Sequence, residues 1–247
     1  MGFFSRTLPS PLFNLARGCI LALKAKPQVG RVAFGQLRRT RPICSQFGAS
    51  RGQPIDRFYI EQFLGSCSSD IQGHVLEIGE NTYTRRFGGS RVKHSDILHV
   101  SNNNPEATIV ASLEHAPQIP DATFDCIILT QTLQYIFRLE AAISTVHRIL
   151  KPGGRVLLTV PGITQIDADS EWGPTWYWSF TDRSVIRLLE QCFNINRITC
   201  HVHGNVLAAT SQLQGLAASE LTLDELADTD TDYQVIITAR AAKDEGT

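Results

Sequence analysis

The chain has 247 residues, 43% of them hydrophobic, and a formal net charge of −1. That suits one domain with an appendage, or two small domains, and excludes general disorder. The near-neutral total hides a split. Residues 1–55 carry nine basic residues and no acid, whereas the remainder carries 14 basic and 24 acidic residues. A basic arm on an acidic body predicts contact with an anionic surface or with the body itself.

Within the arm, Phe13–Leu23 reads as an amphipathic helix with cationic flanks, of the kind that lies on a membrane surface. An Arg-rich, acid-free start is also compatible with an organelle transit peptide. No run approaches the ~18 apolar residues that span a bilayer. The six cysteines (Cys19, Cys44, Cys67, Cys126, Cys192 and Cys200) show no Cys-x-x-Cys spacing, so reduced thiols in a cytoplasmic protein are expected.

A helix is predicted from Asp56, as its cap, with Tyr59, Ile60, Phe63 and Leu64 on one face. Val75-Leu-Glu-Ile-Gly79 then reads as a buried strand ending in a tight turn, followed by a helix start. Asp96–Val100 and Ala107–Ala111 are the next strands, too close together for a crossover helix, which is unusual in a parallel sheet. Phe124–Thr130 is an apolar strand, as expected where both sheet faces are covered. Leu139–Leu150 carries a helical stripe, which Lys151-Pro-Gly-Gly154 stops, and Arg155–Val160 is a strand. Pro161–Phe180 is a long aromatic loop, and Thr181 caps a helix through Phe193. Strand 195–202, helix 205–216 and strand 234–239 complete an alternation that gives an α/β fold with a mostly parallel sheet.

Val75-Leu-Glu-Ile-Gly79, Pro120-Asp-Ala-Thr-Phe-Asp-Cys-Ile-Ile128, Leu133-Gln-Tyr-Ile136 and Arg148-Ile-Leu-Lys-Pro-Gly-Gly-Arg-Val-Leu157 occur in this order. Together they resemble the class I S-adenosylmethionine-dependent methyltransferases over residues 56–247. Arg51–Ile60 and Asn81–Gly89 are similar to a bacterial subgroup often found near glycosyltransferases. The resemblance implies a Rossmann-like sheet with an antiparallel last strand and helices on both faces. It divides the chain into a basic arm, 1–55, and a methyltransferase-like domain, 56–247. It also implies S-adenosylmethionine as cofactor, with a glycosyltransferase as a candidate partner.

The cofactor positions it implies are Glu77, Gly79, Asn81, Ser101, Ser112 and Thr130. Family members usually show an acid-x-Gly-x-Gly-x-Gly turn; here Asn81 and Tyr83 replace the later glycines. Asn81 is the non-glycine residue that best tolerates a left-handed backbone. Ser101 stands where an acid usually holds the cofactor ribose, and Ser112 where one lies near the adenine. A hydrogen bond to a charged group contributes ~1.5–3 kcal/mol. Losing two therefore predicts affinity weakened by about a hundredfold to ten-thousandfold.

A hydroxyl nucleophile asks for a general base, and His115, beside Glu114, is the candidate. His99 lies inside a strand, and His201 and His203 lack a third ligand, so no metal site is predicted. Trp172, Trp176, Trp178 and Phe180 offer flat surfaces for an organic acceptor on the ligand rim. Residues 156–182 contain no Lys or Arg, which argues against a nucleic-acid acceptor. The expected activity is methylation of a small molecule or glycan precursor, as an O-methylation. The alternative is a catalytically silent methyltransferase-like domain that binds a glycan-biosynthesis enzyme. A nicotinamide oxidoreductase is disfavoured by the absence of a Gly-x-Gly-x-x-Gly turn. The expected location is cytoplasmic, with the arm peripheral at the membrane.

Overall fold

The computed structural model describes residues 27–167 and 173–245. The chain divides into two units, residues 1–40 and 41–247. In the first, the described part holds one short turn of 3-10 helix at Gly35–Leu37; segment 13–23 lies outside the described residues. The second unit takes in residues 41–55, which the charge pattern grouped with the arm. Ile43 and Cys44 both donate backbone N–H groups to Gln214 O, and Arg51 pairs with Glu220. Arg51, at the end of that basic stretch, therefore belongs to one of the domain's own ion pairs.

The domain is built on a seven-stranded sheet: β1 (Gly73–Ile78), β2 (Val92–His99), β3 (Ile109–Val110), β4 (Phe124–Thr130), β5 (Leu150–Pro161), β6 (Ile198–His203) and β7 (Ile236–Ala242). The order across the sheet is β3-β2-β1-β4-β5-β7-β6. β7 runs antiparallel between β5 and β6 and the other pairings are parallel, as expected.

Strand alternation divides the core into two layers. Leu76, Leu98, Ile127, Leu129 and Leu158 pack with α2 (Leu139–Ile149) and α3 (Asp182–Leu189). Val75, Cys126, Ile128 and Leu157 pack with α1 (Ile55–Ser66), α4 (Val206–Gln214) and the short α5 (Leu223–Ala227). The period of two along each strand carries successive side chains to opposite helix layers. No helix among the described residues is long and apolar enough to cross a membrane.

Several local expectations change. α1 begins at Ile55 after Pro54, and Asp56 lies in its first turn instead of capping it. The helix expected after β1 is reduced to a π-helical turn, Thr84–Gly88, and a 3-10 turn, Gly89–Arg91. Gly88 brings that segment against the strand: a Cβ there would lie 2.4 Å from Val92 Cγ2. Lys151–Gly154 is the start of β5, not only the end of a helix. β2 and β3 are joined without a helix, as their spacing predicts, and β3 keeps only two residues. Thr181 caps α3 as predicted, accepting from Ser184 N, but the helix ends at Leu189 and not at Phe193. α4 ends at Gln214, two residues short of its expected end, and is capped by Asn205, which accepts from Leu207 N and Ala208 N.

Candidate functional site

The parallel strands β1 to β4 all point their carboxyl ends at one rim, where ligands of open α/β sheets bind. A cavity of about 630 Å³ lies there. Ile78 and Gly79 contribute from β1, Leu98 to Val100 from β2, Ala111 to Glu114 from β3, and Thr130 to Thr132 from β4. Tyr135, Ile136, Phe137, Thr175 and Tyr177 close one side. An apolar cavity of this size with few polar groups suits a small organic ligand.

The turn after β1 explains the altered glycine motif. Gly79 has φ +86°, and a Cβ placed on it would meet no protein atom within 4 Å. The backbone is thus bare towards the cavity, the condition for close approach of a ligand. Asn81 is not among the residues of positive φ, so it does not act as a left-handed substitute. Its Nδ2 donates instead to Ser95 Oγ at 3.3 Å. Asn104 secures the turn from the β2–β3 loop, donating from Nδ2 to Gly79 O at 2.6 Å. Tyr83 occupies its glycine position by leaving the loop. It is buried, packs beside Phe87, and its hydroxyl accepts from Arg57 at 2.9 Å.

Glu77 is buried and does not line the cavity. Its carboxylate accepts from Tyr83 N at 3.2 Å, Thr84 N at 2.7 Å and Thr84 Oγ1 at 2.6 Å, tying the turn to the π-helical segment. Burial pushes its pKa up from 4.5 to about 6, against the opposing pull of the Thr84 and Tyr83 hydrogen bonds. The folded state therefore binds this proton more tightly than the unfolded chain. Stability from this group is greatest below pH about 4.5 and falls as pH rises to about 6, by ~2 kcal/mol. Urea unfolding at pH 4.5 and 6.5 checks this: Glu77→Gln should lose less stability across that interval than the wild type.

Ser112 and Thr130 line the cavity; Ser101 does not. The register Ile78↔Leu98 sets His99 beside the position of Gly79, so His99 and Val100 end the second strand at the cavity. Ser101 turns back, its N and Oγ lying 3.2 and 3.3 Å from His99 Nδ1. His115 is exposed and does not line the cavity, because Ser112–His115 is a tight turn closed by His115 N donating to Ser112 O. Glu114 faces in instead and is the carboxylate among the lining residues; its Oε1 accepts from Arg138 N at 2.9 Å.

The aromatic loop is split between packing and lining. Trp172 lies outside the described residues. Phe180 is buried and Trp178 packs against the core, with Trp178 Nε1 donating to Ile136 O at 2.9 Å. Trp176 Nε1 donates to Trp178 O, and its ring meets Tyr135 edge-on. None of these three lines the cavity; Tyr177 and Phe137 do, 5.3 Å apart in an edge-to-face pair. Gln131 was missed by sequence reasoning. It has φ +45° at the end of β4, a strained conformation held by Gln131 N donating to Thr159 O. No sequence signal marks a non-glycine residue forced into that region by its neighbours.

The comparisons agree with this geometry. The family model described as a methyltransferase domain matches residues 78–158, from the end of β1 into β5. The ubiquinone/menaquinone biosynthesis C-methyltransferase UbiE of Haemophilus ducreyi is 32% identical over 90 residues, covering 36% of this chain and 29% of that protein. The chain thus spans about 30% of the length of the curated relatives it matches. A crystal structure of an S-adenosylmethionine-dependent methyltransferase from Archaeoglobus fulgidus superposes with TM-score 0.51 at 13% identity, covering 76% of this chain and 94% of that one. The cyclase SpnF superposes with TM-score 0.53 at 14% identity, covering 96% and 95%. At such identities the two structures speak for the fold, and a fold hosts more than one chemistry. The sheet order with its inserted antiparallel strand and the turn at Gly79 thus give the chain the fold of the S-adenosylmethionine-dependent methyltransferases, and the methyltransferase-domain model matches the part of it from residue 78 to residue 158.

Proposed function

We propose that this chain is a methyltransferase that binds S-adenosylmethionine across the carboxyl ends of β1 to β4 and methylates a hydroxyl on an uncharged or mildly polar ring compound. The observation that carries the reading is the bare left-handed turn at Gly79 opening onto a cavity rimmed by Phe137 and Tyr177. The cofactor, when bound, supplies an activated methyl group. The chain's part is to align the acceptor and exclude water. Gly79, Ser112 and Thr130 are the sequence-predicted residues in position to hold the cofactor, with His99 in place of Ser101. Glu77 and Asn81 act behind them by fixing the turn. Glu114 replaces His115 as the group offered to an acceptor hydroxyl proton.

The acceptor class rests on the rim. Aromatic pairs contribute ~0.5–1.5 kcal/mol beyond area burial, so Phe137 and Tyr177 can orient a ring without charge pairing. A ring acceptor is in keeping with the name of the UbiE relatives, which describes quinone biosynthesis; a sugar ring on a glycan precursor fits the same surfaces. A glycosyltransferase partner, and an anionic surface for the basic arm, belong to the same proposal and rest on the resemblance over Arg51–Ile60 and Asn81–Gly89 and on the acid-free residues 1–55.

Calorimetric titration with S-adenosylmethionine is the test, and saturable heat is expected. No heat at millimolar cofactor would favour the silent, partner-binding domain. With an acceptor in hand, Tyr177→Ala should raise its KM about threefold to tenfold at near-constant cofactor affinity. Trp178→Ala should instead lower thermal stability, because it removes a core-packed side chain. Equal loss of cofactor affinity in both variants would make the rim a lid and not an acceptor surface.

A further inference from the structure

At the opposite end of β1 and β2 from the cavity, two imidazoles and a carboxylate converge on one point. The parallel register sets His74 across from His94 and Leu76 across from Asp96, so His74, His94 and Asp96 all leave the same face of the sheet. His74 Nε2 lies 2.6 Å and His94 Nε2 3.6 Å from the same oxygen, Asp96 Oδ2. The two imidazole rings meet edge-on with centroids 4.5 Å apart. The three donor atoms fall within 4.8 Å of one another. We infer that His74, His94 and Asp96 form a binding site for a divalent transition-metal ion of the zinc class, unrelated to the methyltransferase cavity.

A simple ion pair accounts for His74 and Asp96 but not for the third donor. His94 is 64% exposed at its side chain, yet its Nε2 is turned inward to the carboxylate already engaged by His74. Two imidazoles and one carboxylate are a donor set that zinc accepts, with a fourth position left to water. Tetrahedral bonds of ~2.0–2.1 Å set neighbouring donors roughly 3.3 Å apart. The His94–Asp96 separation is already close to that. The His74–Asp96 contact must open by about 0.7 Å, a small rotation of the half-buried His74 ring.

The ligands also have the support that metal sites show around them. Thr108 Oγ1 donates to Asp96 Oδ1 at 2.7 Å, which fixes the carboxylate and leaves Oδ2 free to face the imidazoles. His74 is held on its other side by an edge-on contact with the buried Phe124, centroids 4.7 Å apart. Access comes through a cleft of about 680 Å³ that both histidines line. Five residues of extended chain separate His74 from Gly79, ~16 Å. A metal here clips β1 to β2 at their amino ends and takes no part in the transfer chemistry.

The test is titration of the untagged 247-residue chain with zinc ion alone, read by competition against a chromophoric chelator. Cobalt substitution, followed by visible absorption, reports the coordination geometry. One equivalent per chain is expected, with a cobalt spectrum of tetrahedral intensity and a thermal midpoint that rises with zinc. His94→Ala should weaken zinc about a hundredfold or more, and Thr108→Val about tenfold, by the usual effect of removing a carboxylate's supporting partner. His201→Ala, at an exposed histidine elsewhere, should change nothing. His94 is exposed, so its variant tests binding without unfolding the domain. Absence of saturable binding up to millimolar zinc, or unchanged affinity in His94→Ala, would overturn the assignment.

Discussion

Gly79→Val is expected to abolish S-adenosylmethionine binding while leaving a folded domain. The residue sits at φ +86°, where a branched side chain is strained by ~1–3 kcal/mol. No protein atom lies within 4 Å of the added Cβ, so the side chain projects into the cavity and not into packed core. Strain therefore lowers stability modestly, and the branched methyls occupy the space that the cofactor's approach to the backbone requires. Calorimetry should lose all measurable heat, and urea unfolding should shift by no more than ~3 kcal/mol. Retained affinity in a folded Gly79→Val protein would move the cofactor away from this turn.

His99→Asp is expected to tighten cofactor binding. In the resembling family an acid at the end of the second strand holds the ribose, and the register here presents His99 to the cavity from that place. A carboxylate bonded to a ligand hydroxyl contributes ~1.5–3 kcal/mol, about a tenfold to hundredfold gain. Ser101→Asp should gain little, because Ser101 is turned to His99 and does not line the cavity. Titration of both variants decides the matter. If Ser101→Asp tightens binding and His99→Asp does not, the strand end presented to the ligand is Ser101 and the register argument fails.

The fold was legible in the sequence because its signals are local and periodic. The apolar runs at Val75–Ile78 and Phe124–Thr130, the helical stripe of Leu139–Leu150 and the cap at Thr181 each act over a few residues. Burial in two helix layers forces those patterns, so they survive in the letters. Gly79 was legible for the same reason, since a turn that needs a positive φ selects its own residue.

The tertiary structure alone decided which side chains meet. Tyr83 looked like a broken glycine motif, yet its ring goes to the core and Asn104, from another loop, holds the turn. The two-residue step from Ser101 to His99 is a matter of strand register, which hydrophobic pattern fixes only by parity. His115 left the site because a tight turn reversed the chain, bringing Glu114 in. Trp176, Trp178 and Phe180 were spent on packing, and the exposed rim fell to Tyr177 and Phe137. The convergence of His74, His94 and Asp96 depends on β1 and β2 lying side by side. Twenty residues separate the first two of those in the chain, and no spacing rule along one strand brings them together. Composition and period set what must be buried; pairing between distant segments sets what is left facing a ligand.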